Sequence, residues 1–195
     1  MRVVAGTAGG RRLAGPTGPG LRPTSDRVRE SMFNALYSLG AIEGAVVLDL
    51  FAGTGALGIE AMSRGAERAV FVENSRSGAD LVLQNVTTCG MEDRAEVVVA
   101  DGTSWVRANR TEWDLVLLDP PYGFDSWPDL LDSVAGGAPG SVVVVESNHE
   151  LDPGPRWNVE STRRHGSTVV MLMRPASEAG QPANQPTDPT GSHHK

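Results

Sequence analysis

The chain has 195 residues, of which 39% are hydrophobic, and its formal net charge is −7 at pH 7. This length suffices for one domain with a proper core, and the absence of any run of about 18 apolar residues excludes a membrane-spanning helix. The N-terminus lacks the apolar stretch of a signal peptide, and a single cysteine, Cys89, allows no internal disulfide. We therefore expect a cytoplasmic protein with no membrane partner.

The charge is unevenly distributed along the chain. Residues 1–30 hold six arginines and two acidic residues, a net charge of +4, whereas the remainder holds 11 basic and 22 acidic residues, a net charge of −11. A basic arm on an acidic body can bind a polyanion locally, and arginine suits forked contacts with phosphate. The alternative is a solvated N-terminal arm. The predicted nucleic-acid contacts are Arg2, Arg11, Arg12, Arg22, Arg27 and Arg29.

The first forty residues predict a small extension. Residues 2–6 and 10–13 are typical of two short strands around a glycine-containing turn. Thr24 is a predicted helix N-cap, and Gly40 ends the helix that begins there. We therefore predict a hairpin plus a helix over residues 1–40.

Strands and helices alternate from residue 45 onward. Some strands are apolar throughout, which is expected when both faces of a parallel sheet are covered. The pattern predicts a doubly wound α/β domain over residues 41–174, followed by a disordered tail over 175–195 that is rich in Pro, Gly, Gln, Ser and Thr. The predicted strands are 46–50, 69–73, 96–100, 114–118 and 142–146, the helices are 56–64, 75–86, 103–108 and 126–134, and a terminal antiparallel hairpin pairs 157–162 with 167–173 through a turn at 163–166.

A glycine motif lies between the first strand and its helix. Gly53, Gly55 and Gly58 match the G-x-G-x-x-G fingerprint, and Glu73 follows Gly55 by 18 residues, where a carboxylate can hold ribose hydroxyls. These residues alone fit either NAD or S-adenosylmethionine, because both ligands carry an adenosine ribose.

Asp49 favours S-adenosylmethionine. A carboxylate beside the first glycine would repel a pyrophosphate but attract an ammonium and a sulfonium. Asp101, after the third strand, is placed to accept from an adenine amino group, although it can also be a helix N-cap. We add the neighbouring Phe51 and Gly102 to the predicted cofactor contacts, with S-adenosylhomocysteine as the expected product.

The fourth strand ends in Asp119-Pro120-Pro121-Tyr122. Proline ends a strand and stiffens the residues beside it, so this loop presents a carboxylate, bare carbonyls and an aromatic ring at the sheet edge. The predicted catalytic residues are Asp119 and Pro120, which would accept the two N–H bonds of an exocyclic amine, and Tyr122, which would stack on its ring. The histidines show no metal-ligand spacing, and we expect no metal.

Three segments together, 22–34, 47–55 and 119–122, resemble the RsmD-type 16S rRNA guanine-N2 methyltransferases. The resemblance covers most of residues 1–174. It implies a class I methyltransferase fold with sheet order 3-2-1-4-5-7-6 and an N-terminal extension that helps hold RNA. It further implies a guanine of 16S rRNA as substrate, within a 30S subunit or its precursor, and we expect a monomer. On this resemblance the cofactor residues are Asp49, Gly53, Gly55, Glu73 and Asp101, and residues 119–122 meet the target base.

Three other functions compete with this interpretation. An adenine-N6 or cytosine-N4 DNA methyltransferase would use the same kind of loop, but the chain has no obvious DNA-recognition segment. An NAD-dependent oxidoreductase is disfavoured by Asp49. A non-catalytic RNA-binding ribosome assembly factor would not need acids at every cofactor position. The loop itself does not select guanine, since Asp119 would serve adenine or cytosine nearly as well.

Overall fold

The computed structural model describes residues 1–15, 25–109, 113–121, 123–135 and 140–176. Helices and strands alternate as predicted until β5, after which two strands occur in succession. The elements are α1 (Asp26–Ser38), β1 (Val46–Leu50), α2 (Ala56–Ser63), β2 (Arg68–Glu73), α3 (Arg76–Cys89), a 3-10 turn (Glu92–Arg94), β3 (Ala95–Val99), α4 (Gly102–Ala108), β4 (Leu115–Leu118), α5 (Trp127–Ala135), β5 (Val142–Ser147), β6 (Trp157–His165) and β7 (Thr168–Pro175).

The seven strands form one sheet in the order β3-β2-β1-β4-β5-β7-β6. The first five are parallel, and β7 runs antiparallel to both β5 and β6. This order confirms the predicted doubly wound class I architecture. Since alternate residues of a strand face opposite sides, Val47 and Leu117 join one apolar cluster while Leu48 and Val116 join the other. Two cores therefore cover the two faces of the sheet.

Three of the helices have an N-cap residue whose side-chain oxygen accepts a hydrogen bond from a backbone N–H of the first turn. Ser25 accepts from Val28 N at 3.3 Å, Ser75 accepts from Gly78 N at 3.0 Å, and Asp101 accepts from Ser104 N at 2.8 Å. The cap of α1 is thus Ser25 and not Thr24, the residue that we predicted. Thr24 itself lies outside the described residues.

The N-terminal hairpin is smaller than predicted. Its two strands reduce to a single antiparallel bridge between Arg2 and Arg12, flanked by bonds such as Val3 N to Arg11 O at 2.9 Å. Val3 and Leu13 are nevertheless buried in the same cluster as the α1 residue Phe33 and the α2 residue Met62. The hairpin and α1 therefore share one hydrophobic core with the sheet.

The C-terminal hairpin turns later than predicted. Residues 163–165 still pair within β6, and the turn is formed by Gly166, with φ of 62°, and Ser167. The predicted tail also begins too early, because Pro175 pairs with Trp157 and Ala176 N donates to Arg156 O at 2.7 Å. Residues 177–195 lie outside the described residues.

No helix in the described part of the chain is both long and apolar enough to cross a membrane. The described ranges also contain no group of three or more His, Cys, Asp or Glu side chains that could hold a metal ion.

Candidate active site

A cavity of about 1090 Å³ opens at the carboxyl edge of the parallel strands. Asp49 and Phe51 reach it from the end of β1, Glu73 from β2, Asp119 from β4 and Glu146 from β5. Ligands of open α/β sheets bind at this edge, outside the strand ends. The volume lies at the upper end of the roughly 300–1,000 Å³ that small-molecule sites occupy, so the cavity is large enough for a ligand of cofactor size.

Asp49 is a buried carboxylate in the wall of this cavity. Its Oδ2 accepts from Gly58 N at 2.9 Å, which ties the end of β1 to the first turn of α2. Burial raises the pKa of Asp49 well above its usual value; the Gly58 bond opposes the shift, while the nearby charges of Asp119 and Glu73 add to it. A cationic ligand would relieve this stress on the ionised carboxylate.

The three glycines of the predicted fingerprint have different roles. Gly53 lines the cavity with a φ of 58°, and a Cβ there would meet only Phe51 O, at 3.8 Å. Gly55 does not line the cavity: it precedes α2 with a φ of 74° and faces the core, where a Cβ would lie 3.0 Å from Val82. A Cβ at Gly58 would overlap the ring of Phe71. Gly53 thus exposes backbone to the cavity, whereas Gly55 and Gly58 allow close packing of α2 on the sheet.

Glu73 organises the loops around the same cavity. Its Oε2 accepts from Gly53 N at 3.0 Å, and its Oε1 accepts from Ser75 N and Ser75 Oγ, both at 3.0 Å. A carboxylate offers about four acceptor positions, so these three bonds leave about one for a ribose hydroxyl.

Asp101 is the N-cap of α4, which was one of its two predicted roles. The backbone N–H and then the side chain of Ser104 lower the pKa of Asp101, against a small opposing effect of burial. Its neighbour Gly102 lines the cavity, and a Cβ there would lie 3.2 Å from the ring of Phe51. Phe51 is the one described non-glycine residue with positive φ, 63°, and conformations of this kind cluster at functional sites.

The loop after β4 brings an acid and aromatic rings to the cavity. Asp119 and Pro120 line it, while Tyr122 lies outside the described residues. Two further aromatic residues stand beside this loop: Phe124 packs edge-on against Phe51 at 5.4 Å and against Trp127 at 5.2 Å between ring centroids. This pair was not among the predicted site residues, although the position of Trp127 soon after the loop was a usable signal.

Most of the predicted RNA-contacting arginines are exposed. Arg2 forms an ion pair of 3.2 Å with Asp26, and Arg11 donates to Thr88 O at 2.6 Å. Arg12 and Arg27 are also exposed, whereas Arg22 lies outside the described residues. A further exposed arginine, Arg163 of β6, reaches Ser31 of α1 at 3.5 Å.

Arg29 must be removed from the predicted RNA contacts. Its side chain is only 1% exposed, and its Nη2 donates to Arg2 O at 2.6 Å and to Asp26 Oδ1 at 2.7 Å. Partial burial would raise the pKa of Asp26, but Arg29 and then Arg2 outweigh it and lower that pKa. Arg29 therefore ties α1 to the N-terminal hairpin, and its guanidinium is not presented to a partner.

Buried polar side chains that the sequence analysis missed attach the hairpin to α2 and α3. Glu60 of α2 accepts from Val4 N at 2.7 Å and Ala5 N at 3.1 Å, and its Oε1 pairs with Arg64 at 2.6 Å. Asn85 of α3 contacts both the hairpin and the glycine loop. Each is a polar residue within an apolar helical face, which was the available signal.

Known proteins resemble this chain over most of its length. The model of the family described as Conserved hypothetical protein 95 matches residues 1–174. Ribosomal RNA small subunit methyltransferase D of Escherichia coli K12 is 37% identical over 180 residues, covering 89% of each chain, and its namesake from Haemophilus influenzae is 39% identical over 183 residues, covering 89% of this chain and 93% of the relative. The chain belongs to this family of RsmD-type methyltransferases.

Solved structures agree with this membership. The methyltransferase yhhF of Escherichia coli superimposes with a TM-score of 0.78 at 32% identity, covering 90% of this chain and 97% of the other. The hypothetical protein TTHA0928 of Thermus thermophilus gives a TM-score of 0.75 at 28% identity, covering 88% and 98%. This RsmD-type chain is therefore a methyltransferase with the class I methyltransferase fold.

Proposed function

We propose that this enzyme transfers a methyl group from S-adenosylmethionine to the N2 amine of a guanine in 16S rRNA. The observation that carries the proposal is a single cavity that joins the carboxylates at the ends of β1 and β2 to the Asp119–Pro120 loop at the end of β4. The names of the relatives from Escherichia coli and Haemophilus influenzae support small-subunit rRNA as the substrate.

The residues on the β1–β2 side fit the cofactor. The buried Asp49 and the carboxylate of Glu73 suit a ligand with an ammonium group and ribose hydroxyls, and the open backbone at Gly53 allows close approach. When bound, S-adenosylmethionine supplies an electrophilic methyl group on a sulfonium. We assign Asp49, Phe51, Gly53, Glu73 and Gly102 to its binding, with Gly55 and Asp101 shaping the loops around them.

The residues on the β4 side fit a flat base with an exocyclic amine. The lone pair of a guanine 2-amine is delocalised into the ring, so this nitrogen is a weak nucleophile. Acceptance of its two N–H bonds by the Asp119 carboxylate and the Pro120 carbonyl would bias the nitrogen towards a tetrahedral shape. Positioning of two reactants in this way can supply roughly 7–11 kcal/mol of the barrier. Phe124 and Trp127 supply aromatic surface on which an extruded base can stack. Stacking by Tyr122 stays a prediction from the sequence, since that residue lies outside the described residues.

The N-terminal extension supplies the RNA surface in this proposal. Within residues 1–40, four of the predicted arginines are exposed: Arg2, Arg11, Arg12 and Arg27. The hairpin borders the cavity through Ala14 and Gly15. Phosphate contacts from arginine would hold the RNA while the base enters the cavity. We propose that the enzyme acts in the cytoplasm as a monomer on a 30S subunit or its precursor.

A methylation assay tests this function. The enzyme is incubated with labelled S-adenosylmethionine and, separately, with unmethylated 30S subunits, free 16S rRNA and DNA, and the modified nucleoside is identified by mass spectrometry. We expect N2-methylguanosine at one nucleotide of 16S rRNA. N6-methyladenine or N4-methylcytosine in DNA, or RNA binding without any methyl transfer, would contradict the proposal.

A further inference from the structure

Glu146 is a buried acid in the cavity wall that neither cofactor binding nor amine positioning uses. It is the penultimate residue of β5, is 8% exposed and lines the cavity. Acidic side chains are rarely buried without a functional or structural reason, and this one lies at the edge of the sheet where a base would enter.

The strand order places Glu146 on the substrate side of Asp119. β4 lies between β1 and β5, and Leu118 is paired with Val145, so Asp119 and Glu146 are the next residues along two adjacent parallel strands. Alternate residues of a strand face the same side, so Glu146 faces the side of Val142 and Val144, and Asp49 faces the side of Val47. These three valines belong to one apolar cluster, so Glu146 and Asp49 lie on the same side of the sheet. The order across the cavity is therefore Asp49, Asp119, Glu146.

The ring atom next to the 2-amine distinguishes guanine from adenine and cytosine, and an acid beside Asp119 can contact that atom. Guanine presents N1–H beside its N2 amine, so its edge offers adjacent donors. Adenine N1 and cytosine N3 are lone-pair acceptors at the equivalent place. A carboxylate accepts from N1–H but opposes a ring lone pair, and enzymes read an extruded base through this edge.

We propose that Glu146 accepts a hydrogen bond from guanine N1–H and thereby selects guanine over adenine and cytosine. This inference rests on the proposed function and adds a specificity residue to it. Asp119 and Pro120 then hold the reacting amine, and Glu146 determines which base can present it. A site built to hydrogen-bond one substrate group can reject an analogue that lacks the group by about 10⁴-fold or more, so one carboxylate is sufficient for the selection.

The test compares guanine with 2-aminopurine, which keeps the 2-amine but has a lone pair at N1. 16S rRNA is assembled by ligation with either base at the nucleotide mapped by the methylation assay, and is reconstituted into 30S subunits. The measured quantity is the ratio of kcat/KM for guanine to that for 2-aminopurine. We expect a ratio of at least about 100 for the wild-type enzyme, and a ratio at least about tenfold lower for Glu146→Gln, since the glutamine amide can donate to N1.

Glu150→Gln is the matched control, because it removes an exposed carboxylate just beyond β5. It should keep the wild-type ratio. The missing O6 of 2-aminopurine affects all variants equally and cancels when their ratios are compared.

Two results would overturn this inference and leave the proposed function standing. The first is a wild-type ratio near one, a measurement that does not depend on any variant. The second is a Glu146→Gln variant that still methylates guanine and keeps the wild-type ratio. Failure of the wild-type enzyme to methylate the guanine substrate would instead overturn the proposed function, and this inference with it.

Discussion

The side-chain amide of Asn85 bonds both backbone groups of Ala14. Asn85 Oδ1 accepts from Ala14 N at 2.8 Å, and Asn85 Nδ2 donates to Ala14 O at 3.1 Å. The same Nδ2 donates to Thr54 O at 2.9 Å, within the glycine loop. One fully buried side chain on α3 thus joins the N-terminal hairpin to the glycine loop at the edge of the cavity.

Asn85→Ala should destabilise the protein and loosen the hairpin. Alanine leaves two carbonyls and one N–H without their partner, and each buried unsatisfied group costs roughly 1–3 kcal/mol. We expect the free energy of unfolding in urea to fall by at least about 2 kcal/mol, and the amide of Ala14 to exchange faster with deuterium. Thr87→Ala, an exposed change on the same helix, should alter neither. Equal exchange at Ala14 in both variants would contradict the assigned role.

Gly6 and Gly10 form a matched pair that tests how the hairpin docks. Both have positive φ, 81° and 84°, so alanine at either position incurs a similar backbone strain of about 1–2 kcal/mol. A Cβ at Gly6 would overlap the Ser63 carbonyl, which accepts from Thr7 N at 2.8 Å, whereas a Cβ at Gly10 meets nothing within 4 Å. Thermal unfolding should therefore show a larger loss for Gly6→Ala than for Gly10→Ala. Similar losses would mean that the hairpin does not depend on this close approach.

Cofactor affinity should rise with pH because of Asp49. Its pKa is raised by burial, so the free enzyme keeps a proton on Asp49 at pH values where an ordinary aspartate is ionised. A cationic ligand favours the ionised form and releases that proton on binding. Calorimetry should show affinity increasing with pH until the raised pKa of Asp49 in the free enzyme is passed, and levelling off above it. An asparagine at position 49 can still accept from Gly58 N but carries no charge. Asp49→Asn should therefore bind the cofactor more weakly, and its affinity should not rise with pH. The same pH dependence in the variant and the wild type would exclude Asp49 as its cause.

Asp119→Ala should abolish methyl transfer while S-adenosylmethionine binding is largely retained. The proposed role of Asp119 is to accept from the substrate amine, whereas the residues assigned to the cofactor lie at or just after the ends of β1 and β2 and at the start of α4. Single-turnover assays on 30S subunits measure the transfer, and calorimetry measures the binding. Full activity of the variant would rule out the proposed mechanism.

Removal of the exposed arginines should weaken RNA binding and reduce its salt dependence. Arg12→Ala and Arg27→Ala should each lower the slope of log affinity against log salt by about 0.7–0.9 if each residue neutralises one phosphate. Arg68→Ala removes an exposed charge at the start of β2, the opposite edge of the sheet, and should leave the slope unchanged. A slope that is the same in all three variants and in the wild type would mean that the N-terminal arginines are merely solvated.

Local patterns in the sequence were sufficient to predict the kind and order of the elements. Apolar runs, helical periodicity and glycine or proline boundaries depend on neighbouring residues, and the sheet order then came from the family resemblance. The acids at the strand ends were also predictable, because parallel strands place their carboxyl ends at one edge. The loop after β4 predicted an amine-binding site without selecting a base.

Contacts between distant residues were decided only by the tertiary structure. Arg29 looked like one more arginine of a basic arm, yet packing of α1 buries it against the hairpin. Asn85 meets Ala14 across 71 residues of sequence, and Glu146 meets the cavity because β4 inserts between β1 and β5. Which side chains are buried, and which residues they contact, depends on how the helices and strands pack. The periodicity within one element does not indicate which residue of another element it contacts. For that reason, residue types and spacing were enough to propose the chemistry of the site, whereas only the folded structure showed that Arg29 holds the fold together.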